Sequence, residues 1–132
     1  GVAVAVKGRN PSTKVFGVEP RGADDAYQSL REGRLVTREH VDTICDGLRV
    51  QRLGDLTFEV MRRYVDGIAL VSDDEALDTV RLLAEKEKLI VEPSGAVAAA
   101  ALRLRRAGAL TGPAVAVVSG GNIEPSLLRS LV

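Results

Sequence analysis

The sequence of 132 residues has few aromatic residues, a single cysteine and no excess of either charge. It has no tryptophan. Its 18 basic residues are balanced by 18 acidic ones and are not clustered in one segment. Nucleic acid is therefore not an expected partner. No apolar run approaches the length that spans a bilayer and nothing resembles a signal peptide, so no membrane association is expected. The lone Cys45 excludes an internal disulfide and fits a reducing compartment, which predicts a cytoplasmic protein.

The composition is typical of one globular unit. Hydrophobic residues make up 45% and charged residues 27% of the sequence, and a chain of this length can bury one modest core. We therefore expect residues 1–132 to form a single unit. The chain begins at Gly1 without a methionine and enters an apolar run at once. This start predicts the C-terminal part of a longer polypeptide; a processed or tag-derived glycine is the alternative.

The hydrophobic pattern alternates between short strands and helices. Strands are predicted over residues 14–18, 67–71 and 114–118, and helices over residues 23–31, 56–64, 73–88 and 96–107. Residues 34–55 show no strong period and are predicted to be mainly loop. Residues 2–6 alternate valine and alanine, a period that suits a strand although alanine favours a helix. The alternation of elements predicts the α/β class, with a mostly parallel sheet flanked by helices.

The clearest helix signal begins at Ser72. Ser72 and Glu75 form an S-x-x-E capping box, and Asp73 and Asp74 are favourable at the positive end of the helix dipole. Residues 96–107 are rich in small apolar side chains, which predicts a buried helix that its neighbours approach closely.

A polar, glycine-rich segment follows the third predicted strand. Its sequence is Ser119-Gly120-Gly121-Asn122. Ligands of α/β sheets bind beyond the carboxyl ends of the strands, so a cofactor is expected here. The alternative is an ordinary turn.

Four segments, in this order, resemble the C-terminal portion of the fold-type II pyridoxal-phosphate enzymes. They are Gly-Val-Glu-Pro at 17–20, Thr-Ile-Cys-Asp-Gly-Leu at 43–48, Val-Glu-Pro-Ser-Gly-Ala at 91–96 and Val-Ser-Gly-Gly-Asn at 118–122. Within that superfamily they are most similar to the serine/threonine dehydratase and serine racemase branch. The resemblance implies the C-terminal part of the catalytic large domain. In that family the glycine-rich phosphate loop and the lysine that forms the Schiff base lie upstream of the position of Gly1, so the resemblance implies no catalytic residue in this chain.

The resemblance also implies a set of cofactor contacts. The Ser119 hydroxyl would hydrogen-bond the pyridine nitrogen of pyridoxal 5'-phosphate, with Gly120 beside it. A hydroxyl, unlike a carboxylate, can leave that nitrogen neutral and the ring a weaker electron sink, which suits elimination. Glu92 would lie close to the cofactor, and the Gly47 backbone would pass close to the ring. The alternatives are a turn serine at 119 and a charge at a helix N-terminus at 92.

A metal site is implied near the first strand. Glu19, Ala23 and Asp25 match family positions that hold a divalent cation through two carboxylates and a backbone carbonyl. Oxygen ligands select a hard ion, magnesium or calcium, with a structural role. Alternatively, Asp24 and Asp25 favour the start of the next helix.

Four further residues carry weaker signals or none. Lys88 and Asn122 match racemase positions that touch an activating nucleotide, although a solvated lysine and a turn asparagine are the more ordinary interpretations. His40 and Cys45 indicate no chemistry of their own and are assigned no role.

The leading hypothesis is part of a threonine or serine dehydratase. The intact enzyme would eliminate water from the amino acid and deaminate it to a 2-oxo acid and ammonia, whereas the isolated chain would be inactive. Serine racemase is the rival within the branch. A cofactor-free binding or regulatory domain, and an unrelated α/β module, are the alternatives outside it. The expected partners are threonine or serine, the remainder of the polypeptide, and further copies in a homodimer or homotetramer.

Overall fold

The computed structural model describes residues 1–109 and 112–132. Within these residues the chain forms two strands and six α-helices. In chain order they are α1 (Val2–Arg9), β1 (Phe16–Pro20), α2 (Asp25–Glu32), α3 (Asp55–Tyr64), β2 (Gly67–Val71), α4 (Asp73–Leu82), α5 (Pro93–Arg103) and α6 (Pro125–Leu131). A 3-10 turn over Asp46–Leu48 interrupts the loop between α2 and α3, and a π-helical turn over Leu83–Glu87 extends α4. Among the described helices, none has the length and apolar character needed to cross a bilayer.

The two strands pair in parallel. Val18 lies opposite Ala69, and Pro20 lies opposite Val71. Parallel strands end at the same edge of a sheet, so the segments that follow Pro20 and Val71 meet at one edge, where ligands of α/β folds bind. Helices α2 and α5 contact the strands. The predicted α/β class with a parallel sheet and flanking helices is confirmed.

The main core lies between β2, α4 and α5. Val97, Ala100 and Ala101 of α5 form a buried cluster with Val71 of β2 and Ala76 of α4. These small side chains let α4 and α5 pack closely, as expected for a helix of small residues.

The predicted bounds of α5, residues 96–107, were wrong, because the helix begins at Pro93 and ends at Arg103. Proline is favourable in the first turn of a helix, and the chain leaves the helical conformation by Arg105, whose φ is 55°.

The start of α4 and the end of α2 follow local sequence signals. The Ser72 hydroxyl accepts a hydrogen bond from the Glu75 backbone N–H at 3.2 Å, and the Glu75 carboxylate accepts one from the Ser72 N–H at 2.8 Å. This reciprocal pair is the predicted capping box at the start of α4. The helix predicted over residues 23–31 spans Asp25–Glu32, so its start was placed two residues early; its end at Gly33 is confirmed, and the φ of 70° there is the left-handed conformation that glycine adopts readily.

The predicted buried strand over residues 114–118 was wrong. In the structure this run has no strand assignment, and its Val115 side chain is 91% exposed. A strand needs a neighbour to receive its backbone hydrogen bonds, and the sheet of the described residues holds only β1 and β2. Residues 2–6 lie in helix α1, so the helix propensity of alanine prevails there over the alternating pattern. The short helix α6 was not predicted.

Candidate functional site

The N-terminus of α5 touches the Ser119–Gly120 turn. The Gly95 carbonyl accepts a hydrogen bond from the Ser119 N–H at 3.4 Å, and the Glu92 N–H donates to the Gly120 carbonyl at 3.2 Å. A Cβ atom at residue 95 would lie 1.5 Å from the Ser119 carbonyl oxygen. Only glycine permits this approach, so two motifs that are distant in sequence form one surface.

Gly120 and Glu92 pack against each other. Gly120 has a φ of 70°, and a Cβ atom there would lie 1.9 Å from Glu92 Oε1. The Glu92 carboxylate therefore occupies the space that any larger side chain at 120 would need. Glu92 is half-buried, whereas Ser119 is exposed.

Gly47 joins the same site through Ser94. The Gly47 N–H lies 3.0 Å from Ser94 Oγ and 2.8 Å from Asp46 Oδ1, both of which accept from it. Ser94 was not among the residues predicted from the sequence, although it lies in the Glu-Pro-Ser-Gly segment that starts α5. Through these contacts the structure brings together the four residues predicted to bind the cofactor, which are Gly47, Glu92, Ser119 and Gly120.

An open cleft of about 590 Å³ adjoins these residues. Its lining includes Asp46, Arg49, Glu92 and Asn122, together with residues of α6; of the four residues predicted to bind the cofactor, Glu92 alone lines it. The cleft carries carboxylates, a guanidinium and an amide, which suit a small zwitterionic molecule. Asn122 is thus part of the cleft wall, while Lys88 is exposed and donates to the Glu85 carbonyl at 2.7 Å.

Glu19 caps helix α2. Its carboxylate accepts from the Ala26 N–H at 3.2 Å and from the Tyr27 N–H at 2.8 Å. Burial, and to a lesser degree the charges of Asp25 and Asp24, raise the pKa of Glu19 to about 7, against the effect of the two backbone N–H groups. The structure therefore holds a carboxyl group that is costly to ionise at the end of β1.

Asp25 carries an unsatisfied oxygen beside this group. The residue is 2% exposed, and Oδ2 is buried without a hydrogen-bond partner among the described residues. Burial raises the pKa of Asp25. Ala23 is also buried. Within residues 1–109 and 112–132, no three His, Cys, Asp or Glu side chains converge on one point as metal ligands, so a cation here would need backbone or water oxygens as well.

His40 and Cys45, which were assigned no role, both lie outside the candidate site. His40 is exposed, and Cys45 is fully buried in the core cluster. Burial raises the pKa of the Cys45 thiol to about 11, which makes it unreactive at neutral pH.

The chain is similar to known enzymes over most of its length. Residues 1–120 match the family model described as pyridoxal-phosphate dependent enzyme. Over 132 residues the chain is 37% identical to an L-threonine ammonia-lyase of Thermotoga maritima, covering 100% of this chain and 33% of the relative. Over 133 residues it is 41% identical to a serine racemase of Oryza sativa subsp. indica, covering 97% of this chain and 39% of the relative.

The fold is shared with a solved structure as well. The chain superposes on the T.th. threonine deaminase with a TM-score of 0.88 and 43% identity, covering 93% of this chain and 45% of that one. The similarities confirm the resemblance read from the four segments. The chain spans 33% and 39% of the lengths of the two curated relatives.

Proposed function

This chain belongs to the family of pyridoxal-phosphate dependent enzymes, and we propose that it forms the part of a longer enzyme that holds the pyridine ring of the cofactor. The observation that carries the proposal is the contact of Gly95 with Ser119, which gathers the predicted ring-binding residues at the start of α5. Glycine at 47 and 120 lets the backbone pack directly against Ser94 and the Glu92 carboxylate, which keeps these segments together. Ser119 is exposed, and its side chain carries a hydroxyl, which is a suitable partner for a pyridine nitrogen.

Ser119 sets the chemistry that the cofactor supplies. The bound cofactor acts as an electron sink for the bonds at the amino-acid Cα. A serine hydroxyl donates a hydrogen bond to the ring nitrogen without transferring its proton, because its pKa is far above that of a pyridinium. Ser119 would therefore leave the ring a moderate electron acceptor, which suits loss of a β-hydroxyl.

The reaction we propose for the full-length enzyme is dehydration of threonine or serine, followed by deamination to a 2-oxo acid and ammonia. Similarity to the ammonia-lyase of Thermotoga maritima supports it. Similarity to the serine racemase supports the second candidate, racemisation of serine. We expect the isolated chain to be inactive, because the lysine that anchors the cofactor is expected elsewhere in the polypeptide. The cytoplasmic location and the homodimeric or homotetrameric state stay predictions.

Replacing Ser119 with alanine tests the proposal. In the full-length protein we expect Ser119→Ala to change the absorbance of the bound cofactor and to slow 2-oxo acid formation at least about tenfold, since one hydrogen bond to a reacting group is lost. Absorbance near the visible edge and a coupled 2-oxo acid assay with threonine and serine give the two readouts. D-serine formation is followed in the same samples.

The control for this test is Ser12→Ala, which removes an exposed serine hydroxyl in a turn remote in sequence from the site. An unchanged spectrum and rate in Ser119→Ala would remove the role of Ser119. A full-length wild type that binds no cofactor would favour the cofactor-free domain. Faster racemisation than dehydration would favour the racemase.

We further propose that Glu19 and Asp25, with the backbone at Ala23, hold a magnesium or calcium ion. The buried, unpartnered Asp25 Oδ2 supports this proposal, because a cation would satisfy it. Adding either ion at 100 times its Kd is expected to stabilise the native state by about 2.7 kcal/mol. The melting temperature of the full-length protein should therefore rise with the ion in wild type and not in Asp25→Asn.

The matched control is Asp42→Asn, an exposed aspartate in the neighbouring loop, which should respond as wild type does. An equal rise in wild type and Asp25→Asn would show that the ion binds elsewhere. No rise in either protein would leave Glu19 as a helix cap alone.

A further inference from the structure

We propose that Asp73 is a positioning residue for the cofactor site. It acts by fixing the loop of residues 43–49, which carries Gly47. This inference rests on the proposed function, because it assigns Asp73 a part in ring binding. Asp73 is the first residue of α4 and follows β2 at the edge of the sheet where ligands bind. From the sequence alone, its only role is a favourable charge at the start of a helix.

Asp73 holds the loop with both carboxylate oxygens. Oδ1 accepts from the Thr43 hydroxyl at 2.5 Å, and Oδ2 accepts from the Ile44 N–H at 2.9 Å. Thr43 is buried and in turn accepts from the Cys45 N–H at 3.1 Å. The first three residues of the loop are therefore fixed to the start of α4.

The rest of the loop is short and closed on itself. The Arg49 Nε donates to the Thr43 carbonyl at 2.7 Å, which joins the two ends of residues 43–49. Gly47 lies between them and donates its N–H to Ser94 Oγ at the start of α5. The N-termini of α4 and α5 thus hold the loop from two directions, and a shift of Thr43 moves Gly47 relative to Ser94.

The site requires a carboxylate at 73 because two donors face it. An asparagine could accept from one of them, but its amide NH₂ would face the other donor and leave it unpaired. A donor left unpaired in a partly buried site is destabilising. Asp74 lies in the same first turn, is exposed, and adds the same charge to the helix terminus. Comparing residues 73 and 74 therefore separates the hold on the loop from the helix dipole.

The experiment measures the Kd for pyridoxal 5'-phosphate by absorbance titration of the full-length apoprotein, alongside the melting temperature. We expect Asp73→Asn and Thr43→Val each to raise the Kd about tenfold or more, equivalent to one lost hydrogen bond. The Kd of Asp74→Asn is expected to stay within about twofold of the wild-type value. Thr43→Ser keeps the hydroxyl and should retain most of the wild-type affinity.

Two results would overturn the inference. The first is an equal Kd in Asp73→Asn and Asp74→Asn. The second is a lower melting temperature in Asp73→Asn and Thr43→Val with the wild-type Kd, which would make Asp73 a residue of stability alone. Failure of the wild type to bind the cofactor would instead count against the proposed function, so the two failures are distinguishable.

Discussion

Replacing Gly95 with alanine is expected to lower the free energy of unfolding by about 2 kcal/mol and to weaken cofactor binding at least tenfold. The added Cβ would lie 1.5 Å from the carbonyl oxygen and 2.7 Å from the carbonyl carbon of Ser119. Both atoms are backbone, so the Ser119–Gly120 turn must move away from α5. Alanine favours a helix over glycine by about 1 kcal/mol, but this gain is smaller than the cost of the overlap. Urea unfolding and cofactor titration of the full-length protein measure the two effects.

Gly8→Ala is the matched control for this change. Gly8 also lies in a helix, α1, and a Cβ there would meet no atom within 4 Å. Its free energy of unfolding is expected to rise by about 0.5–1 kcal/mol, with no change in cofactor affinity. A Gly95→Ala protein that matches Gly8→Ala in both properties would mean that α5 and Ser119 do not touch.

The stability of the protein is expected to fall as the pH rises from about 4.5 to about 7, because of Glu19. In the native state burial raises the pKa of this carboxyl to about 7, while in the unfolded chain it keeps the ordinary 4.5. Between these values the native state binds a proton that the unfolded state has released, so rising pH favours unfolding. A fully buried group would contribute about 3 kcal/mol over this range. Glu19 is partly exposed, so we expect about 1–2 kcal/mol.

Glu19→Gln removes this titration. Divalent cations are first removed with a chelator. The free energy of unfolding of the wild type should then fall, relative to that of Glu19→Gln, as the pH rises from about 4.5 to about 7. Glu39→Gln, which changes an exposed glutamate of the loop, should keep the wild-type slope. A wild-type and a Glu19→Gln protein with parallel pH profiles would contradict the raised pKa.

Elements with local signals could be predicted from the sequence. The capping box of Ser72 and Glu75 depends on four neighbouring residues, and the strand over Gly67–Val71 on one apolar run, so both were placed correctly. Residues 114–118 form an equally apolar run, yet they are not a strand. Whether such a run becomes one depends on a neighbouring strand, and that information is not local.

The candidate site was predictable only in part, because local motifs name its residues while their contacts depend on non-local packing. The motifs around Gly47, Glu92 and Ser119 named the residues, but their order in the sequence did not reveal how they touch. The Gly95 approach to Ser119 depends on the packing of α5, and the contact of Asp73 with Thr43 spans 30 residues. A charged residue at a helix start has an adequate local explanation, which is why the second role of Asp73 could not be predicted.

The most direct test is a crystal structure of the full-length protein with pyridoxal 5'-phosphate bound. If Ser119 serves the ring nitrogen, its Oγ should lie about 2.6–3.0 Å from that atom, within hydrogen-bond distance. A ring nitrogen that contacts a different polar group, with Ser119 Oγ beyond about 4 Å, would contradict the account.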